Sequence, residues 1–341
     1  MAHQIVAQVR KAIFVGTLPI VMVAASPQAG QAFSLNFSQT VVFGDSISDN
    51  GNLYRATLGT LPPSPPYAQR LSNGPVWVEY LASELNTPLF DYAIAGASTD
   101  NTNTIIPFLG GLQQQIERFG ATNPQADPDA LYIVFAGAND YLGGKQTNPS
   151  IPVTNLQNSL VELSNLGARN ILVADLPDLG QLPGKRTNPV VSQGLSTLTN
   201  THNTLLAQTL SVLEATPGFQ ANLIPLDTNG LFKDAIANPA KFGLTNVTDS
   251  CLNVSALSVC SNPDQYLFWD DIHPTTATHQ QIAGFAYSSL EAVPEPPTTL
   301  GVVAFGLFLG AATVLKRKGQ KPTRELVSAI KQQVSEEAQV R

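Results

Sequence analysis

A chain of 341 residues with 43% apolar and 13% charged side chains can bury one large core and still carry appended segments, which excludes a disordered or fibrous protein. The formal charge of −7 understates the central body, where residues 33–297 hold nine Lys and Arg against twenty-two Asp and Glu. Such an acidic body repels phosphate backbones, so no nucleic-acid partner is expected, and the acidity reads as a solubility feature.

Residues 1–32 open with Arg10-Lys11, continue as an apolar run from Ala12 to Ala25 and end in small residues, the layout of a secretory signal peptide. A membrane anchor is the alternative, but the run is short for a bilayer. Export would leave the body, residues 33–292, in a periplasmic, cell-surface or extracellular setting.

Within the body, short β-branched runs alternate with helix-period segments. Val41–Phe43, Leu89–Tyr92, Ala130–Phe135, Asn170–Ala174 and Asn222–Leu226 read as five buried strands. Helices are expected over Pro75–Leu85, Gly111–Phe119, Asn155–Leu166 with Thr154 as cap, Pro189–Ala215 and Thr275–Leu290, the last after a loop-rich stretch. Regular βαβ alternation predicts one α/β domain, a parallel five-stranded sheet in a three-layer α/β/α arrangement. Pro62–Pro66 is a loop, read either as shaping the mouth of a crevice or as a plain surface connection.

Four clusters follow predicted strands or precede helices. Gly44-Asp45-Ser46 ends the first strand, where an open α/β sheet places its ligands. Ala95-Gly96-Ala97 follows the second, Gly137-Ala138-Asn139-Asp140 the third, and Asp270-Asp271-Ile272-His273-Pro274 leads into the last helix. A serine needs a base to act as a nucleophile, and the base needs an orienting group. Three residues apart in a turn, Asp270 can reach the imidazole of His273 and fix its tautomer, leaving the other ring nitrogen for Ser46. Asp271 is the competing orienter, or a charge at the helix N-terminus. His202 and His279 fall within helices and read as solvated or packing residues. For the oxyanion of acyl transfer, the candidate donors are the backbone N–H groups of Ser46 and Gly96 and the side-chain amide of Asn139. Asp45 reads as a structural residue of the loop.

In this order, Gly-Asp-Ser, Gly, Gly-x-Asn-Asp and Asp-x-x-His-Pro resemble the GDSL or SGNH hydrolases, and Phe43–Asn52 is similar to the first block of their lipase/acylhydrolase branch. The resemblance spans roughly residues 40–290 and carries Ser46, Gly96, Asn139 and His273 as the four signature residues. It implies a flavodoxin-like sheet of order 2-1-3-4-5 and ester hydrolysis through an acyl-enzyme with no metal or cofactor. Gly-x-Ser-x-Gly, the elbow of the α/β-hydrolases, occurs nowhere. The expected activity is that of an exported serine esterase or lipase on a small-molecule or lipid ester; the alternatives are a carbohydrate O-acetyl esterase and a noncatalytic exopolysaccharide-associated surface protein.

Cys251 and Cys260 lie nine positions apart in this exported part, where a disulfide closing a small loop is expected rather than two free thiols. Beyond the body come a Pro-rich linker (293–299), an uncharged segment from Leu300 to Leu315 followed by Lys316-Arg317-Lys318 (300–318), and a polar tail (319–341). Pro294-Glu295-Pro296, the short apolar segment and the basic cluster resemble a PEP-CTERM sorting signal, which implies a sorting protease as a partner. The continued tail departs from that pattern, and leaves anchoring through a transmembrane segment with a cytoplasmic tail as the alternative.

Overall fold

The computed structural model describes residues 35–256 and 258–292. The expected signal peptide, linker, sorting segment and tail lie outside these residues.

Five parallel strands form the central sheet: β1 (Thr40–Gly44), β2 (Leu89–Asp91), β3 (Leu131–Phe135), β4 (Asn170–Ala174) and β5 (Asn222–Leu226), in the order β2-β1-β3-β4-β5. Alternation along each strand sends side chains to opposite faces, and both faces are covered. Val42, Leu131, Ile133, Leu172 and Ile224 join one core with α2 (Trp77–Glu84), α8 (Thr228–Ala237) and α9 (Thr276–Glu291). Val41, Phe43, Tyr132, Val134, Ile171 and Leu223 join the other with α3 (Leu112–Thr122), α5 (Ser150–Leu166) and α7 (Pro189–Glu214). A layer of helices on each face is what strands hydrophobic on both sides require, and the expected three-layer fold and strand order are those observed. Pro225 sits in β5 at the outer edge, where a missing N–H costs no ladder bond to a further strand.

Two expectations need correction. The fifth helix starts at Ser150, and Thr154 lies inside it with its hydroxyl turned back onto the Ser150 carbonyl at 2.7 Å. The apolar stripe Val153, Leu156, Leu160, Leu163 begins before Thr154, and Pro152 is tolerated in a first turn whose N–H groups have no intrahelical partner. The stretch after β5 is also more ordered than a loop. It holds α8, capped by Asp227, a parallel pair of β6 (Asn246–Ser250) with β9 (Tyr266–Phe268), and a hairpin of β7 (Leu252–Asn253) with β8 (Ser258–Val259). A Cys251–Cys260 disulfide closes that hairpin. Backbone N–H groups of Cys251 and Leu252 donate to the carbonyls of Phe268 and Trp269, so the hairpin braces the strand that runs into Asp270.

The carboxyl end of β1 is held by side chains rather than by neighbouring strands alone. Gln115 of α3 accepts from the Gly44 N–H and donates to the Gly44 carbonyl, each at 2.8 Å. A Cβ on Gly44 would fall 2.2 Å from the Phe135 carbonyl oxygen of β3, so only glycine fits where the two strands close up.

Candidate active site

Ser46 leaves the sheet in a tight turn. The Asp45 carbonyl accepts from the N–H groups of Ser48 and Asp49, and the Asp45 carboxyl accepts from Ile47 N–H at 3.1 Å. Burial pushes the Asp45 carboxyl up to about 7, against the pull of that hydrogen bond and of His273. Asp49 then gathers four backbone N–H groups: Gly51 (2.8 Å), Asn52 (2.5 Å), Leu53 (3.0 Å) and, from the loop after β2, Ala95 (2.8 Å). One carboxylate thus starts α1 (Asn52–Ala56) and fixes the Ser46 loop against the Gly96 loop.

Gly96 has φ +86°, and a Cβ there would meet Asn103 Oδ1 at 2.6 Å. On the other side of Ser46, β3 delivers Asn139 on the short helix α4 (Ala138–Leu142). The next residue, Asp140, is buried and accepts from both the N–H (3.0 Å) and the hydroxyl (2.7 Å) of Thr99. Burial pushes its carboxyl up to about 6 even so. This bond ties α4 to the Gly96 loop. Asn139 Nδ2 donates to Ala97 O at 3.1 Å, which leaves its second amide hydrogen. Among the described residues, the N–H groups of Ser46 and Gly96 donate to no protein acceptor.

His273 arrives from the loop between β9 and α9. Its Nε2 lies 2.9 Å from Ser46 Oγ, and its Nδ1 lies 3.0 and 2.9 Å from the two carboxyl oxygens of Asp270. Asp270 Oδ1 also accepts from the N–H groups of Ile272 (2.9 Å) and His273 (2.7 Å). Burial pushes the Asp270 carboxyl up, but the His273 charge and these hydrogen bonds outweigh it, so the group stays below its ordinary range. Burial pulls the His273 imidazole down, and the adjacent Asp270, with a smaller contribution from Asp45, lifts it above its ordinary value.

The structure therefore brings Ser46, His273, Gly96 and Asn139 to one rim of the sheet, around a cleft of about 210 Å³, with Asp270 behind the imidazole. Asp271 is not there: its carboxylate accepts from Ser250 Oγ at 2.7 Å, and the α9 cap is Thr275. Neither the orienting role nor that of a helix N-terminal charge falls to it, because Asp270 closes the turn onto the Ile272 and His273 N–H groups, Asp271 is engaged with Ser250, and the helix starts only at Thr276. His202 and His279 are both fully buried, His202 against Tyr141 OH (2.8 Å) and His279 accepting from Trp77 N–H (3.2 Å). Burial pushes His202 down to about 4 and His279 down to about 3, so each is a neutral packing residue at neutral pH. Among the described residues no three His, Cys, Asp or Glu side chains converge as a metal site.

Residues 62–66 do not line the cleft. The loop they form instead leads to Tyr67, whose hydroxyl donates to Asp270 Oδ2 at 2.8 Å and whose ring packs edge-on to Trp269. Sequence reasoning missed this contact, as it missed Gln115 and the long reach of Asp49. A run of Ser-Asp-x-Gly-Asn was the one signal that could have pointed to Asp49, since a carboxylate before a glycine turn is a common acceptor for the following N–H groups.

A serine that follows the first strand of a parallel sheet, with no strand–helix elbow, sets the class: a three-layer serine hydrolase of the SGNH type. The chain belongs to the GDSL-like Lipase/Acylhydrolase family, whose model matches residues 40–284. It is 26% identical to the thermolabile hemolysin of Vibrio parahaemolyticus over 72% of this chain, and spans 62% of the hemolysin's length. It is 29% identical to the phosphatidylcholine-sterol acyltransferase of Aeromonas hydrophila (75% of this chain, 90% of that one) and 25% identical to GDSL esterase/lipase 5 of Arabidopsis thaliana (74% and 83%).

Proposed function

We propose that the protein is an exported serine esterase or lipase that cleaves carboxylic esters through an acyl-enzyme. The observation that carries this reading is the unbroken series from Asp270 through His273 to Ser46 Oγ, at hydrogen-bonding distances throughout. Ser46 Oγ attacks the ester carbonyl while His273 Nε2 takes its proton. Ser46 N–H, Gly96 N–H and the free amide hydrogen of Asn139 hold the tetrahedral oxyanion. Collapse expels the alcohol, which receives the proton from His273 and leaves the acyl group on Ser46. Water, deprotonated by His273, then attacks the acyl carbonyl and releases the acid.

A noncatalytic glycan binder has no use for a base hydrogen-bonded to its serine, and the apolar walls of the cleft, Ile105, Leu142 and Leu176 among them, suit an acyl chain longer than the acetyl of a carbohydrate ester. Export rests on the layout of residues 1–32, and anchoring or sorting on residues 293–318. The test is to treat protein purified from its native host with a fluorophosphonate and read both intact mass and the labelled peptide. One phosphonyl group on the peptide carrying Ser46, on a chain beginning near residue 33, is the expected result. A label elsewhere, or none, removes the acyl-enzyme, and an intact N-terminus removes the cleaved signal peptide.

Asn139→Ala tests the oxyanion assignment separately. Loss of one such donor is expected to lower kcat for 4-nitrophenyl butyrate by about two to three orders of magnitude with KM little changed, since the bond forms only as charge develops. An unchanged kcat removes Asn139 from the oxyanion site.

A further inference from the structure

Charge is scarce in the cleft. Its walls are apolar except for the reacting groups, Thr104, the buried Asp45 and one cation, Lys185. Lys185 lies on the short helix α6 (Pro183–Arg186), is half-buried, and makes no ion pair or side-chain hydrogen bond with any described residue. Of the nine Lys and Arg in the described residues only Arg70 and Lys241 form ion pairs, with Glu79 and Asp234, so what sets Lys185 apart is its place in the wall of the cleft. A cation kept without a partner beside an apolar wall is a standing attraction for a ligand anion, because the wall excludes the water that would screen it.

The side of the cleft decides which part of an ester would meet it. Helix α6 is tied to the loop of the base: Gly184 N–H donates to the Asp271 carbonyl at 3.0 Å, two residues before His273. The oxyanion donors sit on other loops, after β1, β2 and β3. In the proposed reaction the alcohol departs toward the imidazole that protonates it, so Lys185 stands on the alcohol side.

We propose that Lys185 is a specificity-determining residue that recognises an anionic substituent, a phosphate or a carboxylate, on the alcohol moiety of the ester. This rests on the esterase reading above and adds a substrate class to it.

The experiment measures butyrate release by the full-length protein from two substrate pairs: 1-butyrylglycerol against 1-butyrylglycerol 3-phosphate, and propyl butyrate against 3-(butyryloxy)propanoate. Within each pair only the anion on the alcohol differs, and the two pairs separate phosphate from carboxylate. In the wild type the anionic member of at least one pair is expected to have the higher kcat/KM. Lys185→Ala is expected to lower that anionic-to-neutral ratio roughly fivefold to tenfold, Lys185→Glu to lower it further, and Lys185→Arg to restore most of it. Raising the salt concentration should compress the ratio in the wild type and leave it flat in Lys185→Ala. Hydrolysis of both members with a ratio indifferent to residue 185 overturns this inference alone. Hydrolysis of no substrate overturns the esterase reading and this inference with it.

Discussion

Ser46→Ala should reduce kcat/KM for 4-nitrophenyl butyrate by about four to six orders of magnitude while the far-ultraviolet circular dichroism and thermal midpoint stay close to those of the wild type. The side chain is small, so its hydroxyl can be removed without opening a cavity, and its hydroxyl accepts no backbone hydrogen bond that the turn depends on; the turn is built by Asp45 and Asp49. What disappears is the only oxygen within hydrogen-bonding distance of His273 Nε2 among the described residues. Residual hydrolysis in the variant would come from the oxyanion donors acting on water. Activity within tenfold of the wild type would mean that the reaction does not pass through Ser46.

Replacement of the carboxylate behind the imidazole should cost nearly as much. In Asp270→Asn the amide keeps the shape but presents a donor or a neutral acceptor to His273 Nδ1, so the wrong tautomer becomes accessible and the imidazolium loses its counter-charge; the expected loss in kcat is about four orders of magnitude. The pH profile separates this from a mere loss of structure. His273 must be neutral to take a proton, and its folded value lies above the ordinary one, so wild-type kcat/KM should climb with an acid limb above about pH 6.5. Removing the anion that lifts the imidazole should move that limb to lower pH. A limb that stays in place would show that Asp270 does not set the charge of His273.

Linkage gives the same pair an opposite pH dependence in stability. His273 is raised, so its contribution is complete below its unfolded value and is lost as pH rises through the folded one; Asp270 is lowered, so its contribution is present above its unfolded value and is lost as pH falls. The pair stabilises the fold most between about pH 4 and pH 6.5, on the acid side of the activity limb. Catalysis thus begins as the stabilising ion pair is being discharged, which is the condition of a base held ready by its neighbours.

Some of this was written in the order of residues. Short apolar runs with helix-period segments between them mark the strands, and the central β1, β3 and β4 are buried as expected. The edge strands β2 and β5 keep exposed residues, Phe90, Asn222 and Pro225, because an edge strand has a neighbour on one side only. Asp270 and His273 could be paired from sequence because a contact across three residues is fixed by local turn geometry. The same locality explains the errors: a cap at Thr154 was inferred from residue type, when the helix had begun a turn earlier around Pro152.

Contacts that close over long separations were decided by the tertiary structure alone. Gln115 reaches Gly44 across 71 positions, Asp49 reaches Ala95 across 46, and Tyr67 reaches Asp270 across 203. Each is an ordinary polar residue in an ordinary setting until the sheet brings its partner near. Lys185 is the same: one of several cations in the sequence, it acquires meaning only because the chain after β4 folds back and sets it in the wall of the cleft. Sequence by itself singled out the groups proposed to do the chemistry, since a serine, a histidine and a carboxylate are irreplaceable in kind. Folding decided how they are held and what else faces the substrate, since that depends on distances that no local pattern encodes.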